Sequence, residues 1–193
     1  MTTNEFEKKR FLLEQGLINS INAAVKRVKI YRSKMRKEKQ GKYDDKKDAM
    51  RKDFANAVME AAKSVIDANG DQTILAGHIK NVLAKLKSHQ NIFVDGQPTF
   101  GIAQKALNLF LKYLWCLGVF KNKNCPPHCP IDSQVLNEIS WAGETWPLFT
   151  KTNYDEAIGE IILKKSKLIA EWELPMWRSS LKIEKDKFRV FFD

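Results

Sequence analysis

Thr99–Ile139 reads TFGIAQKALNLFLKYLWCLGVFKNKNCPPHCPIDSQVLNEI, and the rest of the chain is organised around it. A glycine-led turn at Gly101 opens a long apolar helix, and an acidic residue, Asp132, opens the next one. From Ile102 to Leu117 the apolar residues Ile102, Ala106, Leu107, Leu109, Phe110, Leu111, Leu114, Trp115 and Leu117 cover most of a helical circumference. Gln104, Asn108 and Lys112 recur at i, i+4 and i+8, with Lys105 beside them. A helix with so narrow a polar stripe is buried on most sides, and its stripe faces a solvent slot or a site.

Outward from this stretch the pattern is helical throughout. Residues 4–39 are expected to form one long helix, with Ile18, Ile21, Val25, Val28 and Met35 as its apolar seam and Gly41 as its stop. Asp53 is the expected N-cap of a second helix carrying Phe54, Ala57, Val58, Ala61, Ala62, Val65 and Ile66, closed by Asn69-Gly70. A third runs from about Thr73 to Ser88, with Ile79, Val82, Leu83 and Leu86 on one side, and Phe93–Pro98 reads as a turn. After Asp132 the periodicity continues through Val135, Leu136 and Ile139. Asn153 is the expected cap of a helix reaching about Trp172, where Pro175 stops it. The tail Phe188–Phe192 is apolar enough to be expected against the body. The fold class is all-α: a compact helical domain over 53–193, preceded by a basic helical arm over 1–52.

Thirty-three basic residues against twenty-three acidic ones leave a net charge of +10, which favours polyanionic partners. Between Lys26 and Lys52 there are thirteen basic and four acidic residues, so nearly all of the excess is local. Lys26, Arg27, Lys34, Arg36 and Lys37 suit contact with nucleic-acid phosphates; a solvated helix face is the alternative. No apolar run approaches the length of a membrane span, and MTTNEFEKKR lacks signal-peptide logic, so a cytoplasmic location without membrane contact is expected. Three cysteines do not form a disulfide framework. Cys116, Cys125, His128 and Cys129 can be read as a Cys3His zinc set or as a structured turn with reduced thiols. The spacing is not that of a common zinc knuckle, so neither a metal nor another cofactor is assigned.

Gly101-Ile102-Ala103-Gln104-Lys105-Ala106-Leu107-Asn108 resembles the helix-hairpin-helix signature of the endonuclease III-like DNA glycosylases, and Pro130–Val135 is similar to the aspartate-bearing run that follows it. The chain departs from that pattern in three ways. Ala103 stands for the second hairpin glycine, Gly118–Cys129 looks like an insertion, and the four-cysteine iron–sulfur loop is absent. The resemblance implies a hairpin element over 99–117, an acidic helix start over 130–140, and double-stranded DNA as partner. By it, Lys105 corresponds to the amine nucleophile of lyase-competent members and Asp132 to the catalytic aspartate. Independently of catalysis, the backbone amides of Gly101, Ile102, Ala103 and Gln104 at a helix N-terminus suit a DNA phosphate, with Asn108 and Lys112 lining the same slot.

The chemistry fits those residue types. Base excision makes an oxocarbenium-like sugar, which needs a nearby carboxylate, and a lyase also needs an uncharged amine. Burial and the positive end of a helix dipole both favour the uncharged amine. The plainer assignments are a solvent-facing lysine and a helix-capping aspartate. The sequence therefore carries two functional readings: excision of a damaged or modified base, or a non-enzymatic nucleic-acid or protein-binding module that keeps the fold.

Overall fold

The computed structural model describes residues 2–25, 40–93, 98–120 and 125–176. They form α1 (Thr3–Val25), α2 (Gln40–Asp67), α3 (Gln72–Lys87), α4 (Phe100–Cys116), α5 (Ser133–Glu138), α6 (Lys151–Lys164) and α7 (Ile169–Glu173). Short 3-10 turns occupy Gln90–Ile92, Trp146–Leu148 and Leu174–Met176. No β-strand occurs among the described residues, and no helix there is long and apolar enough to cross a membrane.

The architecture wraps the other helices around α4, which packs against α1, α2, α3, α6 and the Trp146–Leu148 turn. Each wrapping helix supplies one apolar stripe. On α2 this is Met50, Phe54, Val58, Ala61, Ala62 and Val65, and on α3 it is Leu75, Ile79, Val82 and Leu86. Asn69 and Gly70 take positive φ, 56° and 77°, and the Gly70 amide donates to the Val65 carbonyl at 2.9 Å. That left-handed pair ends α2, as expected for these residue types. Asp71 then caps α3 by accepting from the Thr73 amide at 2.8 Å.

Several boundaries differ from the sequence reading. Residues 26–39 lie outside the described residues, as does the tail Phe188–Phe192 and most of the Phe93–Pro98 turn. Gly41 is the second residue of α2, and Asp53 lies well inside it and caps no helix, because the Met50–Phe54–Val58 stripe runs on past it. Asp53 instead bonds His89 Nε2 at 3.0 Å. The division at residue 52 therefore cuts a continuous helix. Nor is α1 an arm, since Ile21, Ala24 and Val25 belong to the same core as Phe54 and Leu107. Ile18 faces outward, and the packed seam is Gly16, Ser20, Ile21, Ala24 and Val25.

The last predicted helix is two. Thr150, not Asn153, is the N-cap of α6; Asn153 closes a reciprocal capping box with it. The helix stops at Lys164, and the chain turns so that Ile169, Ala170 and Glu173 of α7 point inward.

Candidate functional site

The polar stripe of α4 turns inward rather than to bulk solvent. Gln104, Lys105, Asn108 and Lys112 are all buried. They are covered by the segment Cys129–Asp132 and by α7. Gln104 Nε2 donates to the Ile131 carbonyl at 2.8 Å, and the Ile131 amide donates to Gln104 Oε1 at 3.1 Å. Asn108 Nδ2 lies 3.1 Å from the Cys129 carbonyl, 3.2 Å from Gln104 Oε1 and 2.9 Å from the Tyr154 hydroxyl. Asn108 Oδ1 has no partner among the described atoms, although it is buried. Lys112 forms a two-pronged ion pair with Glu173, at 2.9 and 2.6 Å.

Lys105 and Asp132, twenty-seven residues apart, meet. Lys105 Nζ lies 2.5 Å from Asp132 Oδ2, and 6.0 Å from the centre of the Trp146 ring. The other oxygen, Oδ1, accepts from the amides of Gln134 at 3.0 Å and Val135 at 3.2 Å, which makes Asp132 the N-cap of α5. Burial pushes the Asp132 carboxyl up, but the Lys105 charge and hydrogen bond, with the two amides, outweigh it and hold the carboxyl below its ordinary value. Asp132 is therefore a carboxylate at neutral pH. About a third of its side chain is exposed against a tenth of the Lys105 side chain, 34% and 10%, so the aspartate is the reachable end of the pair.

The N-terminus of α4 is closed by the chain itself. The Gly101 amide donates to the Phe149 carbonyl at 3.1 Å, and the Ile102 amide to Thr99 Oγ1 at 3.3 Å. Thr99 Oγ1 also donates to the Pro147 carbonyl at 2.5 Å. A β-carbon on Gly101 would stand 1.7 Å from the Trp146 carbonyl oxygen. Gly101 is thus a glycine for close backbone approach. It does not form a left-handed hairpin turn, and its φ is not positive. Gly101, Ile102, Ala103 and Gln104 are all buried, and the polar groups attracted to this helix end are carbonyls of the 146–149 turn. In this conformation the first turn of α4 does not offer its amides to a phosphate. The slot expected along Asn108 and Lys112 is closed by protein at Asn108, while Lys112, paired to Glu173, borders a cavity of about 230 Å³ with Leu109, Tyr113, Cys116 and Leu174.

No protein-family model, no curated protein and no solved structure matches this chain.

The remaining predicted residues lie apart from the pair. Lys26, Arg27, Lys34, Arg36 and Lys37 fall outside the described residues. Among the described residues no group of three or more His, Cys, Asp or Glu side chains is placed to hold a metal. His128 turns instead to Tyr154, with Nδ1 2.8 Å from the hydroxyl. Burial lowers the His128 pKa from 6.5 to about 4, so the ring is neutral at pH 7 and shares a hydrogen bond with the tyrosine hydroxyl, whose oxygen accepts from Asn108. Burial raises the Cys129 thiol well above its ordinary range, which leaves it an inert core group. Sequence reasoning missed Tyr154, Trp146 and Glu173 as partners of the stripe. Tyr154 stands at the apolar spacing of Ala157, Ile158 and Ile161, which marks it only as core, and nothing local to Glu173 marks it as the counter-ion of a residue sixty-one positions earlier.

Proposed function

We propose that this protein binds duplex DNA and cleaves the N-glycosidic bond of a damaged or modified base, with Asp132 as the working carboxylate. The observation that carries the reading is the 2.5 Å contact between Lys105 and Asp132. These are the two residues the helix-hairpin-helix resemblance makes one site. In this reading the C1′–N bond breaks with its electron pair leaving on the base, the ionised, partly exposed Asp132 offsets the positive charge left on the sugar, and water adds at C1′ as its proton passes to the departed base. Lys105 serves in its ion-paired form to orient the carboxylate. For Lys105 to act as an amine nucleophile its Nζ must first leave the Asp132 carboxylate, which it meets at 2.5 Å. The geometry therefore favours simple base release over lyase chemistry. DNA affinity, with the amides of Gly101 and Ile102 engaged, falls to the basic run from Lys26 to Lys52.

A second reading has its own observation. Oδ1 of Asp132 caps α5 while Oδ2 pairs with a buried lysine, so the pair can serve as a clasp between α4 and α5 in a binding module without catalysis.

The deciding experiment measures base release from duplexes carrying single uracil, hypoxanthine, alkylated or oxidised bases, with borohydride trapping on an abasic duplex alongside. Asp132→Asn is expected to slow release by about a hundredfold or more with duplex affinity retained. Lys105→Ala is expected to remove any trapped adduct. Neutralising Lys26, Arg27, Lys34, Arg36 and Lys37 together should flatten the slope of log affinity against log salt by about 4. Salt-dependent duplex binding with neither release nor adduct sinks the excision reading and leaves the binding module.

A further inference from the structure

The Asp132 carboxylate is held through its backbone, and that backbone is gripped from behind by α4. Gln104 is wholly buried and commits both ends of its amide to one residue, Ile131, donating at 2.8 Å and accepting at 3.1 Å. This is the two-point pairing that an adjacent strand would supply, made here by a side chain. One turn further, Asn108 donates to the Cys129 carbonyl at 3.1 Å. The segment leading into Asp132 is therefore tied at 129 and 131, and both ties come from α4. Lys105 projects from the same turn as Gln104. The two partners of the ion pair are thus referred to one rigid element, Lys105 directly and Asp132 by way of Ile131.

We infer that Gln104 is a positioning residue, whose side-chain amide sets the register of Ile131 against α4 and so holds the Asp132 carboxylate at Lys105. The inference rests on Asp132 being the working carboxylate of the proposed function. Space-filling alone does not account for a glutamine at this place. Leucine or methionine would fill it without the cost of burying an amide, which is offset only by full pairing. The pairing found is with the residue immediately before Asp132. Loss of the amide frees Ile131 to slip, the Lys105 contact lengthens, and Asp132 keeps its burial while losing part of its compensation.

The test titrates the Asp132 carboxyl carbon by NMR in the full chain, in Gln104→Met and in Gln104→Glu. In folded Gln104→Met the Asp132 midpoint is expected to rise by about one pH unit. An unchanged midpoint overturns the inference. If Gln104→Met does not fold, Gln104→Glu decides. Its buried acid is protonated near pH 5, while Asp132 is still ionised, and then makes both bonds to Ile131. It loses one of them on ionising near pH 8. The Asp132 signal must depart from the native one at the higher pH and return at the lower; indifference overturns the inference. Base release separates this from the parent reading. With duplex affinity unchanged, kcat in Gln104→Met is expected to fall about tenfold, and an undiminished kcat counts against positioning. An Asp132 shift in a protein that releases no base from any duplex leaves the positioning role standing and defeats the excision reading.

Discussion

His128 shows how one residue in the buried network couples to solution conditions. Its Nδ1 shares a hydrogen bond with the Tyr154 hydroxyl, whose oxygen accepts from Asn108, the residue tied to Cys129. Charging the ring places a cation beside a buried phenol that burial holds protonated. The sign follows from the depressed value. Between 6.5 and about 4 the unfolded chain binds a proton that the folded chain refuses, so folding stability falls as pH drops through that window. The loss is expected to approach about 3 kcal/mol and to level off near pH 4. Denaturant unfolding of the full chain and His128→Gln at pH 7, 5.5 and 4.5 checks this. Parallel declines in the two proteins would show that another group carries the effect. Asp132 acts in a lower window, because its carboxyl is depressed and its contribution goes only as pH falls through that lowered value.

At the scale of elements, the closest approach among the described glycines joins α4 to the 146–149 turn. Three groups converge there: the Gly101 amide on the Phe149 carbonyl, Thr99 on the Pro147 carbonyl, and the Trp146 carbonyl over the Gly101 α-carbon. The same turn carries Trp146, whose ring lies near Lys105. Gly101→Ala must displace a backbone carbonyl rather than a flexible side-chain end, and is expected to lower stability by about 3 kcal/mol. The tryptophan fluorescence of the folded variant should also change, since Trp146 moves with the turn. A melting temperature within a degree or two of the parent would contradict this packing. Between α4 and α7 the tie is electrostatic. Lys112 and Glu173 are both buried, so either charge left alone would face the desolvation cost that the pair now offsets.

Across the whole molecule, α4 is a core helix on most sides, with Leu109, Tyr113 and Cys116 left partly exposed, and α1 is one of the walls around it. Gly16 lets α1 lie so close that a β-carbon there would stand 2.9 Å from the Tyr113 ring. Asn19 bonds the Tyr113 hydroxyl at 3.3 Å, and Arg51 of α2 bonds Asn22 at 2.6 Å. Deleting residues 2–25 should therefore abolish cooperative thermal unfolding, because it uncovers one face of α4 and removes Ile21, Ala24 and Val25 from the core. A truncated chain that still melts cooperatively near the parent temperature would restore the picture of a detachable arm.

What the chain makes legible alone is periodic or local. The all-α class, the apolar stripes on α2 and α3, the Asn69-Gly70 stop and the capping role of Asp132 follow from residue spacing and from backbone preferences that act within a few positions. The meeting of Lys105 with Asp132 is a different matter. Family resemblance pointed to the two residues, while spacing alone allows either to face solvent. Which partner each polar residue of α4 takes is decided only when distant segments close over it. Ile131, Tyr154 and Glu173 arrive from three later parts of the chain, and a buried glutamine, asparagine or lysine accepts whichever group the packing delivers. The glycine at 101 makes the same point. In the sequence it reads as the start of a hairpin; in the fold it is the space that the Trp146 carbonyl needs. A residue's lack of a side chain is written in the chain, but what comes to rest against it is settled by tertiary packing.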